Sequence, residues 1–231
     1  MPKLLVSVAD PAEAILALDA GADLIDAKDP AAGALGALPE ATIRAIVAAV
    51  AGRRTVTAVI GDHEDPGAAL DAAARVAGTG VDMVKVGLFP GPGRARLVAD
   101  LGRALAPQAR LVGVLLADRN PDLALVPAAA EAGFAGMMLD TAGKAGGLLT
   151  LMGLDRLAEF VALARRHGLM AGLAGSLRVS DIDRLAPLGA DLLGFRGGLC
   201  EGLDRRRPLR RDAVADAAAR LGAVAAPRPA A

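Results

Sequence analysis

Residues 4–28 read LLVSVADPAEAILALDAGADLIDAK, and the period of their apolar side chains changes twice. Residues 4–8 form an aliphatic run of strand length, 12–20 repeat with helical period, and 24–27 return to a short apolar run. Strand, helix and strand in so short a stretch make a β-α-β unit, whose two strands run parallel. The same rhythm recurs about eight times along the chain. Further strands are expected at 56–60, 83–87, 111–116, 136–139, 171–174 and 192–195, and helices among others at 40–51, 67–78, 154–167 and 212–222. Eight strands each followed by a helix describe an α/β fold of one kind, a closed (β/α)8 TIM barrel. No GxGxxG follows the first strand, which makes an open dinucleotide-binding sheet the weaker alternative. The expected domain covers 1–222, and the Ala/Pro/Arg stretch at 223–231 reads as a flexible tail.

Composition narrows what such a barrel does. A chain of 231 residues with 54% hydrophobic content can bury one sizeable core. Its 26 acidic and 26 basic residues balance, and without a long-range positive field no nucleic-acid partner is expected. With no Trp, no Tyr and four Phe, there are few platforms on which bases or a large planar cofactor could stack. The single cysteine, Cys200, has no intramolecular disulfide partner, and no signal-like segment opens the chain. Apolar runs are shorter than the roughly 20 residues a bilayer span needs. A cytoplasmic protein without membrane contact is therefore expected, acting on a small polar substrate, with a homo-oligomer left open.

The cations point to the chemistry. Arginine outnumbers lysine 22 to four, and the four lysines are Lys3, Lys28, Lys85 and Lys144. A lysine amine can lose its proton when desolvated and add to a carbonyl, which a guanidinium cannot do. Lys28 closes the second strand in LIDAK, Lys85 sits within the fourth in MVKVGL, and Asp140 ends the sixth in MMLDT. Lys144 follows in the glycine-rich loop TAGKAGG. Asp26 precedes Lys28 by two residues and so shares its side of the strand. Chemistry in these barrels sits at the C-terminal ends of the strands, so three even strands aim ionisable groups into one mouth. Lys3 should lie at the opposite end, ahead of the first strand.

Taken together, GADLIDAKDPAAGALGA at 21–37, VDMVKVGL at 81–88, MMLDTAGKAG at 137–146, LAGSL at 173–177 and ADLLGFRGGLCEG at 190–202 resemble the (5-formylfuran-3-yl)methyl phosphate synthases of methanofuran biosynthesis. The resemblance spans almost the whole chain. It implies a TIM barrel that condenses two molecules of glyceraldehyde 3-phosphate into a phosphorylated furan aldehyde, with neither metal nor organic cofactor. It also implies that Lys28 forms the Schiff base and that Lys85 accepts a proton. Asp26, Asp140 and Lys144 are candidates for the remaining proton transfers. A class I aldolase acting on another sugar phosphate, or a non-catalytic barrel binding a phosphorylated metabolite, are the alternatives.

Phosphate is expected at the loops after strands seven and eight. Gly175-Ser176 and Arg196-Gly197-Gly198 occupy that place, the glycines permitting close approach and Arg196 supplying charge. Two trioses need two anion sites, and the second stays open among Lys144, Arg119 and a neighbouring subunit. Asp29-Pro30 reads as a turn device, His63 as a loop histidine, His167 as a helix C-terminal cation and Cys200 as a small apolar filler. No His/Cys spacing suggests zinc.

Overall fold

The strands close on themselves in sequence order in the computed structural model, which describes residues 1–33, 35–143 and 146–225. They are β1 (Lys3–Val8), β2 (Leu24–Ala27), β3 (Thr55–Val59), β4 (Met83–Gly87), β5 (Arg110–Leu116), β6 (Gly136–Asp140), β7 (Met170–Leu173) and β8 (Leu192–Phe195). All neighbours are parallel, and β1 closes the ring against β8 from Lys3↔Leu192 to Val6↔Phe195. Around the ring lie α1 (Pro11–Asp19), α2 (Glu40–Val50), α3 (Pro66–Ala77), α4 (Arg94–Leu105), α5 (Leu125–Glu131), α6 (Leu148–Arg166), α7 (Ile182–Leu185) and α8 (Arg211–Ala225). This is the expected (β/α)8 barrel. No helix among the described residues is long and apolar enough to cross a membrane. Lys144 and residues 226–231 lie outside the described residues.

Local sequence explains where elements begin. Asp10 and Asp65 each stand before a proline, and their carboxylates accept the N–H groups of Glu13 and Ala68, capping α1 and α3. A second device recurs at the bottom of the barrel. Asp23, Asp82 and Asp191 each precede an even strand, and each takes an N–H from the preceding odd strand, from Leu4, Val56 and Ala171, at 2.9, 2.7 and 2.8 Å. The aspartate N–H groups return the bond to the carbonyls of the same three residues. Before β6 the corresponding residue is Ala135, which makes only the backbone bond, to Leu111.

Apolar side chains divide into two clusters. The larger lies between barrel and helices, and includes Phe160, Ile43, Leu101 and Leu115. The smaller fills the barrel itself with inward residues such as Leu5, Leu24, Met83, Val112, Met138 and Leu192. Large and small residues interdigitate there: a Cβ on Gly172 would stand 2.4 Å from the Cγ of Met138.

Some boundaries differ from the sequence expectation for identifiable reasons. α6 starts at Leu148 rather than 154 because Gly153, at φ 70 and ψ 163, interrupts a helix that resumes beyond it. Lys3 is the first residue of β1 instead of preceding it, still at the end away from the mouth.

Candidate active site

Two ion pairs stand one above the other at the C-terminal end of the barrel. The lower joins the Nζ of Lys85 on β4 to Oδ2 of Asp26 on β2 at 2.7 Å, with side chains 4% and 1% exposed. Ser7 on β1 donates to Oδ2 of Asp26 at 3.0 Å, and Thr57 on β3 donates to Oδ1 at 2.6 Å. Removing such a pair from water is costly unless the remaining lone pairs are met, and here three strands supply donors to one carboxylate. Burial pushes the Asp26 carboxyl toward neutrality. The ammonium groups of Lys85 and Lys28, with the hydrogen bonds from Lys85 and Thr57, outweigh it and hold the group below its ordinary 3.8.

The upper pair joins Lys28 Nζ to Oδ2 of Asp140 at 3.0 Å, with side chains 14% and 13% exposed. The other oxygen, Oδ1, accepts the N–H of Thr141 at 2.7 Å, which fixes the carboxylate's orientation. Lys28 is thus the more open of the two lysines, in reach of a molecule entering from the mouth.

The loops after β2 and β6 are each held by a carboxylate that follows an odd strand. After β2, Asp29 accepts the N–H of Ala31, making a turn, and its own N–H bonds the carbonyl of Gly36. A Cβ on Gly36 would fall 2.4 Å from the carbonyl oxygen of Ala32, so this closure needs glycine. Asp62, beyond β3, accepts the N–H of Leu35. After β6, Asp118 accepts the N–H groups of Ala142 and Gly143 at 2.8 and 2.6 Å. Partial burial acts against its charge, but those two bonds keep its carboxyl below the ordinary value.

Leu35 and Phe89, both buried, close the β4 side of the mouth. They sit so near Gly87 that a Cβ there would meet them at 2.7 and 2.8 Å. What remains open is a cavity of about 380 Å³, within the usual range for small-molecule sites. Asp26, Lys28, Lys85 and Asp140 line it on one side. Gly175, Ser176, Arg196, Gly197 and Gly198 line it on the other. Lys144 lies outside the described residues.

The second wall is built for close approach. Gly175 has φ 113, and a Cβ on it would strike Thr141 at 2.6 Å; Ser176 follows with φ 51, a left-handed conformation that strains a non-glycine residue. A Cβ on Gly198 would lie 2.1 Å from the carbonyl oxygen of Leu177, so the loops after β7 and β8 touch backbone to backbone.

Arg196, which lines the cavity, is engaged with protein groups. Its guanidinium forms an ion pair with Glu13 and donates to the carbonyls of Arg205 at 2.8 Å, Ser7 at 3.2 Å and Arg207 at 3.4 Å. It laces the loop after β8 to β1 and α1. His63 bonds the carbonyl of Ile60 and does not line the cavity. Cys200 is buried; burial, opposed by Arg196 and reinforced by Glu13 and Asp204, raises its thiol to about 11. Among the described residues no group of three or more His, Cys, Asp or Glu could hold a metal ion.

Sequence reading passed over Ser7, Thr57, Arg178 and Arg205. The first two are polar interruptions at inward positions of apolar strands, a legible signal. The two arginines line the cavity, but nothing distinguishes them in a chain so rich in arginine.

The chain matches the 4-HFC-P synthase family over residues 4–218. It is 38% identical to the (5-formylfuran-3-yl)methyl phosphate synthase of Methanosarcina mazei, over 92% of this chain and 96% of that one. A relative from Methylorubrum extorquens, provisionally assigned the same activity, is 52% identical over 94% of this chain and 90% of its own. Among solved structures, KGPDC from Streptococcus mutans superposes with a TM-score of 0.69 at 12% identity, covering 97% and 99% of the two chains. The 3-hexulose-6-phosphate synthase of Salmonella typhimurium does so with 0.66 at 17%, covering 96% and 99%. At these identities the structural likeness concerns the fold alone.

Proposed function

This chain belongs to the 4-HFC-P synthase family and is an enzyme, and on that premise we propose that it condenses two molecules of glyceraldehyde 3-phosphate into (5-formylfuran-3-yl)methyl phosphate through an imine on Lys28. The observation that carries this reading is the stacking of Lys28–Asp140 over the buried Lys85–Asp26 pair.

Joining two trioses requires a carbanion equivalent from one and an electrophilic carbonyl from the other. Lys28 supplies the first by adding to a carbonyl and expelling water; the protonated imine then accepts the electron pair left when a neighbouring C–H loses its proton. Asp140, hydrogen-bonded to Lys28 Nζ, can take the proton the amine must shed before it attacks. Lys85 lies deeper, its Nζ against the carboxylate of Asp26. A proton passed between Lys85 and Asp26 is the natural reservoir for the tautomerisation, ring closure and loss of water and phosphate that follow. Methanofuran-type cofactor synthesis is the setting the proposed product implies.

Incubation with glyceraldehyde 3-phosphate under borohydride, followed by peptide mass spectrometry, tests the imine. An untreated sample is followed by ultraviolet absorbance and by phosphate release. A reduced adduct on Lys28 with a growing furan-aldehyde band is expected. An adduct without the band would replace the synthase reading with that of another aldolase, and no adduct would remove the imine altogether.

A further inference from the structure

Charge pairing around the cavity leaves two cations over. Lys28, Lys85, Arg178, Arg196 and Arg205 are the described basic residues that line it. Lys28 is spent on Asp140, Lys85 on Asp26 and Arg196 on Glu13. Asp204, on the same wall, pairs with Arg206. Arg178 and Arg205 form no ion pair with any described residue, and the Nε of Arg205 is buried without a hydrogen-bond acceptor. A guanidinium N–H shut away from water with no acceptor costs free energy that an oxyanion would recover.

The backbone that carries both residues is held in place. The carbonyl of Arg205 receives the Nε of Arg196, so the Glu13–Arg196 pair anchors the backbone that carries Arg205. Gly198 packs 3.1 Å, measured to its virtual Cβ, from the Cα of Arg178. The N–H of Arg178 is held in turn by Asp181. Two guanidinium groups on held backbone match the charge of a phosphate monoester dianion and offer it forked donors.

We infer that Arg178 and Arg205, rather than Arg196, form the anion subsite of this cavity, and that it takes the phosphate of a triose phosphate whose carbonyl end lies toward Lys28. The identity of the ligand as a triose phosphate rests on the proposed function; the preference for a phosphate dianion does not. Arg196 is then a positioning residue, holding the loop that presents Arg205.

The test uses the full chain with Arg178→Met, Arg205→Met, Arg205→Lys and the double methionine variant. Inorganic phosphate binding is read by calorimetry, steady-state kinetics with glyceraldehyde 3-phosphate give KM and kcat, and borohydride trapping at Lys28 is compared for glyceraldehyde 3-phosphate and unphosphorylated glyceraldehyde. Each methionine variant should raise KM about tenfold or more with a smaller change in kcat. Both should weaken phosphate binding and leave trapping of glyceraldehyde unchanged, and Arg205→Lys should keep part of the binding that Arg205→Met loses. A double variant that binds phosphate as the wild type does overturns the subsite, even if furan is still made. A wild type that makes no furan yet binds phosphate through these arginines leaves the subsite standing and removes the proposed function. Should Arg205→Met not fold, the exposed Arg178 and the lysine variant still decide: unchanged phosphate binding in Arg178→Met and Arg205→Lys overturns the inference.

Discussion

Lys85 Nζ and Asp26 Oδ2 meet at 2.7 Å across the barrel interior, where neither side chain is reached by water to any useful extent. An apolar layer would fill this position at lower cost, since replacing a buried ion pair by well-packed hydrophobic residues is often neutral or stabilising. The polar layer instead lies directly beneath Lys28, whose charge reaches Asp26. That arrangement makes chemical sense if protons move between the layers.

Asp26→Asn should be strongly destabilising. It keeps the shape but sets amide hydrogens or a weaker acceptor against the Lys85 ammonium, leaving a buried charge without its counter-ion. A loss of about 3–5 kcal/mol is expected, read by urea denaturation, and a loss below about 1 kcal/mol would mean that water or another acceptor reaches Lys85.

The same group predicts a pH dependence. Its folded pKa is depressed below 3.8, so the stability it contributes is fully present above that value and is lost as pH falls through the lower folded one. The stability difference between wild type and Asp26→Asn should therefore narrow below about pH 4. Parallel stability curves from pH 6 to pH 3 would contradict the assignment.

Much of this was legible in the sequence, and the failures are instructive. Period and spacing placed all eight strands because buried parallel strands read as short apolar runs between helices. Lys28, Lys85, Asp26 and Asp140 were visible because lysine is rare here and because strand alternation predicts which side a residue faces. Which carboxylate pairs with which lysine was not visible: Asp26 shares a strand with Lys28 but pairs with Lys85, a consequence of barrel shear that no linear pattern carries. Arg196 stood out for its place after β8, yet only the fold brings Glu13 to it.

Gly198→Ala should disturb the phosphate wall while sparing the barrel. The added methyl would lie 2.1 Å from a backbone oxygen, so the loops after β7 and β8 must separate. A cost of about 1–3 kcal/mol and a raised KM with near-normal circular dichroism are expected. An unchanged KM would show that the contact between these loops does not shape the substrate site.

The bottom of the barrel offers a stability test remote from the chemistry. Asp82→Ala deletes one carboxylate-to-backbone bond, to Val56, and should cost about 1 kcal/mol with no effect on kcat. An effect on kcat would mean that the N-terminal face communicates with the mouth.

Cys200 should be inert. With its thiol raised to about 11 by burial, the thiolate is scarce at pH 8, and the side chain is shielded as well. Iodoacetamide should label it only on unfolding, and rapid labelling of the native protein would show the loop after β8 opening.

Lys28→Arg separates the charge of this residue from its nucleophilicity. Arginine keeps a cation beside Asp140, so the upper ion pair and the fold should survive, with a thermal midpoint within a few degrees of wild type. The guanidinium cannot become an imine, so borohydride adducts and furan formation should disappear together, whereas inorganic phosphate should still bind on the opposite wall. Lys3→Arg, at the other end of β1, serves as the control for lysine replacement as such and should be silent. Residual furan synthesis in Lys28→Arg would move the imine to Lys85 or dispense with it.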